Sequence, residues 1–181
     1  RLVGSEMCIR DRGAWAIHNY FFMKSVDLVR AGGLIAFITS QGMADAERNR
    51  PVREWLMERC DLVAAVRLPN NLFTDHAGTE VGSDLIVLQK NSAARPLSER
   101  QRDFIETRTL SNGITVNNSF RSLDRVVQTS AKVGTNPYGK PAMEFTHAGG
   151  VEGIARALAD MLAEDMERHF NRELYESHDP K

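Results

Sequence analysis

The segment from Gly32 to Lys90 limits the fold more than any other part of the chain. Gly33-Leu-Ile-Ala-Phe-Ile-Thr39 is a continuous apolar run behind a Gly-Gly start. Asn49 to Cys60 follows with helical spacing, and Asp61-Leu-Val-Ala-Ala-Val-Arg67 is a second apolar run. A polar loop, Leu68 to Ser83, leads to a third, Asp84-Leu-Ile-Val-Leu-Gln89. Near-continuous apolar strands alternating with a helix imply a sheet covered on both faces, the doubly wound α/β class. Such a sheet places its site in the polar loops at its strand ends.

The flanking segments are read against that unit. Ala14 to Arg30 is expected to be a helix, with Trp15, Phe22, Val26 and Val29 on one stripe, Ile17, Phe21 and Leu28 widening it, and Lys24 facing out. Gly32-Gly33 stops that helix, because glycine takes the left-handed conformation without penalty. His18 reads as a helix-side histidine next to the packed stripe. Asn49 fits an N-cap and Pro51 a first helical turn, with Val52, Trp55, Leu56 and Cys60 on the buried face. Residues 92–181 read as a small α+β appendage. It comprises a polar linker, a short helix over Asn118 to Val127, and a hairpin turning at Val133 to Pro141 with a strand from Ala142 to Thr146. A long helix opened by Gly149-Gly150 ends it, with Ile154, Leu158, Met161, Leu162, Met166 and Phe170 on one face. That helix is expected to dock either on the flank of the domain or on something absent from the chain.

With 181 residues, 42% hydrophobic and 26% charged, the chain has the composition of one globular domain with an attachment. A net charge of -1 gives no global pull toward nucleic acid, although a local basic face remains open. Cys8 and Cys60 form neither a disulfide framework nor a zinc pattern, and a reducing cytoplasm is expected. No apolar stretch approaches the roughly 20 residues that span a bilayer. Neither a G-x-G-x-x-G turn nor a G-x-x-x-x-G-K-[ST] phosphate loop is present, and a G-x-S-x-G elbow is also missing. His76 with Asp75 and Glu80 is a weak metal signal, and no metal is expected.

Four stretches carry a resemblance. Tyr20 to Gly42 resembles the helix and fifth strand of the class I S-adenosylmethionine-dependent fold, and is most similar to the N6-adenine DNA methyltransferases. That group includes the modification subunits of type I restriction systems and the methylase parts of helicase–methylase fusions. Arg53-Glu-Trp-Leu56 with Cys60 to Pro69 looks like the next helix and sixth strand. Phe73 to Val81 followed by Asp84 to Lys90 looks like the loop and antiparallel seventh strand. Residues 133 to 157 look like the tail that follows this domain in the fusion proteins.

The resemblance implies a partial Rossmann-like methyltransferase sheet over residues 13–91. The implied parent is a bacterial, cytoplasmic enzyme moving a methyl group from S-adenosylmethionine to adenine N6 in DNA, with restriction or helicase subunits as partners. The family's cofactor loop and its Asn/Asp-Pro-Pro-aromatic tetrapeptide lie before the helix at Ala14. The tetrapeptide accepts hydrogen bonds from the adenine amino group and stacks on the flipped base. No catalytic or cofactor-binding residue is therefore expected within this chain. Asn136-Pro137-Tyr138 has one proline and follows the last strand, so it reads as a turn. Residues 1–12 resemble translated adapter sequence or a disordered terminus, and the expectation is a domain cut on its N-terminal side. Ser40, Gln41, Asn70, Asn71 and Thr79 are the candidates for the substrate and DNA cleft, from strand-end position alone. Arg67 reads as a strand-end charge rather than a phosphate contact. The alternative is a non-catalytic methylase-like scaffold or DNA-binding module in a helicase or restriction assembly. A methyltransferase for RNA or protein is the third reading.

Overall fold

The structure, a computed structural model, describes residues 17–74, 81–136 and 139–177. Its frame is a three-stranded sheet of β1 (Leu34–Ser40), β2 (Cys60–Leu68) and β3 (Ser83–Lys90) in the order β1-β3-β2. β3 runs antiparallel to both neighbours, as the resemblance implied for that strand. β1 and β2 are consequently parallel to each other, and their carboxyl ends lie at one edge of the frame.

Helices cover both faces. On one face pack α1 (Ile17–Leu28), the short α2 (Gly42–Asp45), α3 (Arg50–Arg59) and α4 (Glu99–Ile105). Phe22, Met43, Leu56 and Phe104 from these helices meet Ile35, Leu62, Ile86 and Leu88 of the strands. On the other face lies α5 (Gly150–His169), whose Ile154, Leu158, Met161 and Leu162 pack over β2 and β3. The long helix expected in an appendage is thus a layer of this sheet. Beyond it, α6 (Arg172–Ser177) returns to the turn before β1, where Arg30 stacks on Tyr175 at 4.6 Å.

The continuous apolar runs are explained by this burial, since every residue of β2 except Asp61 is buried. A bulge at Val63 keeps β2 in phase: Leu62 pairs with Leu88 and Ala64 with Val87. Arg100 donates to the carbonyl of that extra residue at 2.9 Å. β1 differs. Its far edge carries no strand among the described residues, and Ile38 is 55% exposed.

Three local expectations change. Phe21 and Leu28 do not widen the packed stripe of α1, because successive residues turn by about 100°. Phe22, Met23 and Val26 face the core, whereas Ile17 (72% exposed), Phe21 (50%) and Leu28 (74%) form a second stripe open to solvent. Asn49 stands at the N-cap position of α3 but makes no side-chain capping bond; its amide donates to the Gly42 carbonyl at 2.7 Å and its oxygen accepts from Asn19 at 2.9 Å. Asn118 to Val127 is two 3-10 turns rather than a helix, because Val126 leaves to pair alongside Arg67. The expected hairpin is present as β6 (Ser130–Thr135) and β7 (Pro141–Thr146); β4 (Thr107–Thr109) and β5 (Thr115–Asn117) form a second small pair.

Candidate functional site

The carboxyl ends of β1 and β2 meet the start of β3 in one row. Ser40 pairs with Ser83, which pairs with Leu68 across the sheet. Ser40 is exposed at this end, with Gln41 half-buried behind it. The Gln41 amide lies on Gly82, where a Cβ would sit 2.3 Å from it, so a side chain at 82 would push that amide aside. Thr39 Oγ1, Gln41 Nε2 and Ser83 Oγ are buried with no protein partner among the described residues.

Asn70 and Asn71 lie in the turn after β2, at the same end of the sheet and about 10 Å from β1 by two strand spacings. Their side chains bind backbone. Asn70 Oδ1 accepts from Phe145 N–H at 2.9 Å. Asn71 Oδ1 accepts from His147 N–H at 3.0 Å, and its Nδ2 donates to the His147 carbonyl at 3.1 Å. The pair therefore joins the hairpin to the strand ends. Thr79 lies outside the described residues, as do Asp75, His76 and Glu80.

Beneath the row is a buried charge network that strand-end position alone did not point to. Arg67, 2% exposed, donates to both oxygens of Asp84 at 2.8 and 3.0 Å and to Asp45 at 2.9 Å. Phe120 stacks on its guanidinium at 4.1 Å. Burial alone would depress Arg67; Asp84 and Asp45 outweigh it and hold the guanidinium above its usual range. Burial likewise pushes the Asp84 carboxyl up against the pull of Arg67, whose two donors clasp it in bidentate geometry. Asn117 closes the network: its N–H donates to Asp45, and its amide to the carbonyls of Ala44 and Phe104. Arg67 is thus a strand-end charge, as expected, and it is enclosed by partners. The available sequence signal was a basic and an acidic residue each bordering an apolar run.

A family model described as N-6 DNA Methylase matches residues 13–155. The chain belongs to the N-6 DNA methylase family. No curated protein and no solved structure matches it. Membership points to methyl transfer onto DNA as the activity and to S-adenosylmethionine as the family's usual methyl donor.

The described strand ends do not fit that donor. Both carboxylates there, half-buried Asp45 and buried Asp84, are bound to Arg67. Gly42, in the turn after β1, forms no tight cradle, since the nearest atom to a Cβ there is Ser40 Oγ at 3.8 Å. No group of three or more metal-ligating side chains occurs among the described residues. No helix among them is long and apolar enough to cross a membrane.

Proposed function

We propose that this chain forms the far half of a DNA adenine-N6 methyltransferase domain, with S-adenosylmethionine as methyl donor. The observation that carries this is the strand order β1-β3-β2 with only β3 reversed. In the class I fold the fifth, seventh and sixth strands have this order and these directions. β1 then corresponds to the fifth strand, and its free edge is where the cofactor half of the sheet would continue. The second stripe of α1 and the exposed Ile38 support the same position, because an edge strand flanked by open apolar residues is a pairing surface.

In this arrangement Ser40 and Gln41 line the cleft on this side. Asn70 and Asn71 shape it by holding residues 145–147. The catalytic tetrapeptide and the methyl donor's contacts belong to the other half. Partners of the restriction or helicase type fit the family and would assemble around the same domain.

The test is to recover the coding sequence upstream of Gly13 and assay the longer protein for transfer of labelled methyl groups to adenine in DNA. A glycine loop followed by Asn/Asp-Pro-Pro-aromatic, with adenine labelling, is the expected result. Native sequence lacking the tetrapeptide, and no labelling, would replace the enzyme with a non-catalytic scaffold.

A further inference from the structure

The hairpin β6–β7 is more than a connector. Its base is fixed by Phe145, buried in the main core, and by the bonds from Asn70 and Asn71. Thr129 N–H also donates to the Thr146 carbonyl at 2.8 Å. Its far end is closed by Asn136, which accepts from Gly139 N–H at 2.9 Å and whose N–H donates to the Lys140 carbonyl at 2.8 Å. The result is a two-stranded ribbon standing beside the carboxyl end of β2.

The register divides its side chains between two faces. Phe145 and Met143 are on the inner face and pack on the core. Ser130, Lys132, Gly134, Ala142, Glu144 and Thr146 share the outer face, which carries no large apolar side chain, and exposed Lys140 stands just before β7. Glu144 is folded down: its carboxylate lies 3.2 Å from Lys132 Nζ, accepts from Thr135 N–H at 3.2 Å, and covers Gly134, where a Cβ would overlap it. What the face presents outward is therefore Lys132, paired with Glu144 but 68% exposed, and the hydroxyls of Ser130 and Thr146, which bond each other at 2.6 Å, with Lys140 next to them. Protein partners anchor on buried aromatic and apolar side chains, which this face lacks. A net-positive, hydroxyl-bearing two-stranded ribbon matches the phosphate walls and width of a DNA groove.

We propose that the ribbon β6–β7 is a DNA-contacting arm that positions the duplex against the strand ends, with Lys132 and Lys140 on phosphates. This rests on the reading of the chain as part of a DNA methyltransferase. Asn70 and Asn71 then act as positioning residues that set the angle of the arm.

The test is fluorescence anisotropy of the full chain with a labelled duplex across a salt series. Lys132→Ala, Lys140→Ala and their combination are compared with Arg172→Ala, a control on α6 at the opposite end of the sheet. Thermal melts check that all variants fold. The expected result is weaker binding by the ribbon variants, with the control unchanged. The salt slope should become shallower by about 0.9 for each phosphate that is no longer neutralised. Wild-type binding that the ribbon variants leave intact overturns the arm while sparing the DNA reading. No duplex binding by the wild-type chain at low salt overturns both.

Discussion

Single side chains at the strand ends do mainly structural work, and their replacement has calculable consequences. Arg67→Ala would leave Asp84 buried without its partner, a loss of about 3–5 kcal/mol in urea unfolding. Replacing Arg67 and Asp84 together by Met and Leu should cost far less, because neither charge is then stranded. Cys60 is fully buried, and burial pushes its thiol up to about 12. In a Cys8→Ser background a thiol reagent should therefore label Cys60 only as fast as the chain opens. His18 is held below its ordinary value by burial and then by Arg48. The unfolded chain takes up that proton first as the pH falls, so the contribution of His18 to stability is present above about pH 6.5 and lost below it. His18→Gln should flatten the fall in urea midpoint between about pH 7.5 and 5.5. At this scale the sequence indicated which polar residues end the strands but not who holds whom. Ser40 and Gln41 were legible because a polar pair ending an apolar run is a local signal. The partners of Asn70, Asn71 and Arg67 lie 17 to 76 residues away along the chain and are fixed only by the fold.

Elements behave differently according to how much of them is covered. α5 covers one face of β2 and β3, so Ile154→Ala should destabilise by about 2–5 kcal/mol, read as a shift in denaturant midpoint. α1 and β1 keep open apolar surface, so Ile38→Lys and Phe21→Glu should reduce self-association in size-exclusion light scattering with little change in melting temperature. Strands and the long helix were legible because burial on both faces, or on one stripe, writes a period into the residues. The second stripe of α1 is not legible in the same way: apolar residues mark a face, but not whether anything covers it. α4 carries a local signal in the capping box that Ser98 forms with Gln101, which the mixed composition around it obscures. The 3-10 turns after Asn117 could not be read locally, since Val126 is drawn out by pairing with β2.

At the scale of the molecule, one end of the sheet is finished and the other is open. The amino end of β1 is closed by α6 and by Gln89, whose amide donates to the Gly32 and Asn171 carbonyls at 2.8 and 2.9 Å. Gly32, at φ 76° and with Leu174 O 2.3 Å from a Cβ position, admits no side chain there. The β2 side is sealed by Arg100 and by Val127 N–H donating to the Arg67 carbonyl at 2.9 Å. Within this sheet, and among the described residues, the open places are the β1 edge, with its unpaired backbone, and the strand-end row, with its orphan polar atoms. Binding a charged donor such as S-adenosylmethionine takes carboxylates and close backbone approach, and the carboxylates at this end are committed to Arg67. Calorimetry on residues 13–181 should therefore record no stoichiometric binding of S-adenosylmethionine. The proposed cofactor half, produced separately and added in equal amount, should bind at the β1 edge and restore it. The same addition should suppress binding of an apolar-surface dye to the chain, since Ile38, Phe21 and Leu28 would then be covered. Tight binding by the chain alone would place the cofactor on residues now assigned to structure, and the two-half arrangement would fall.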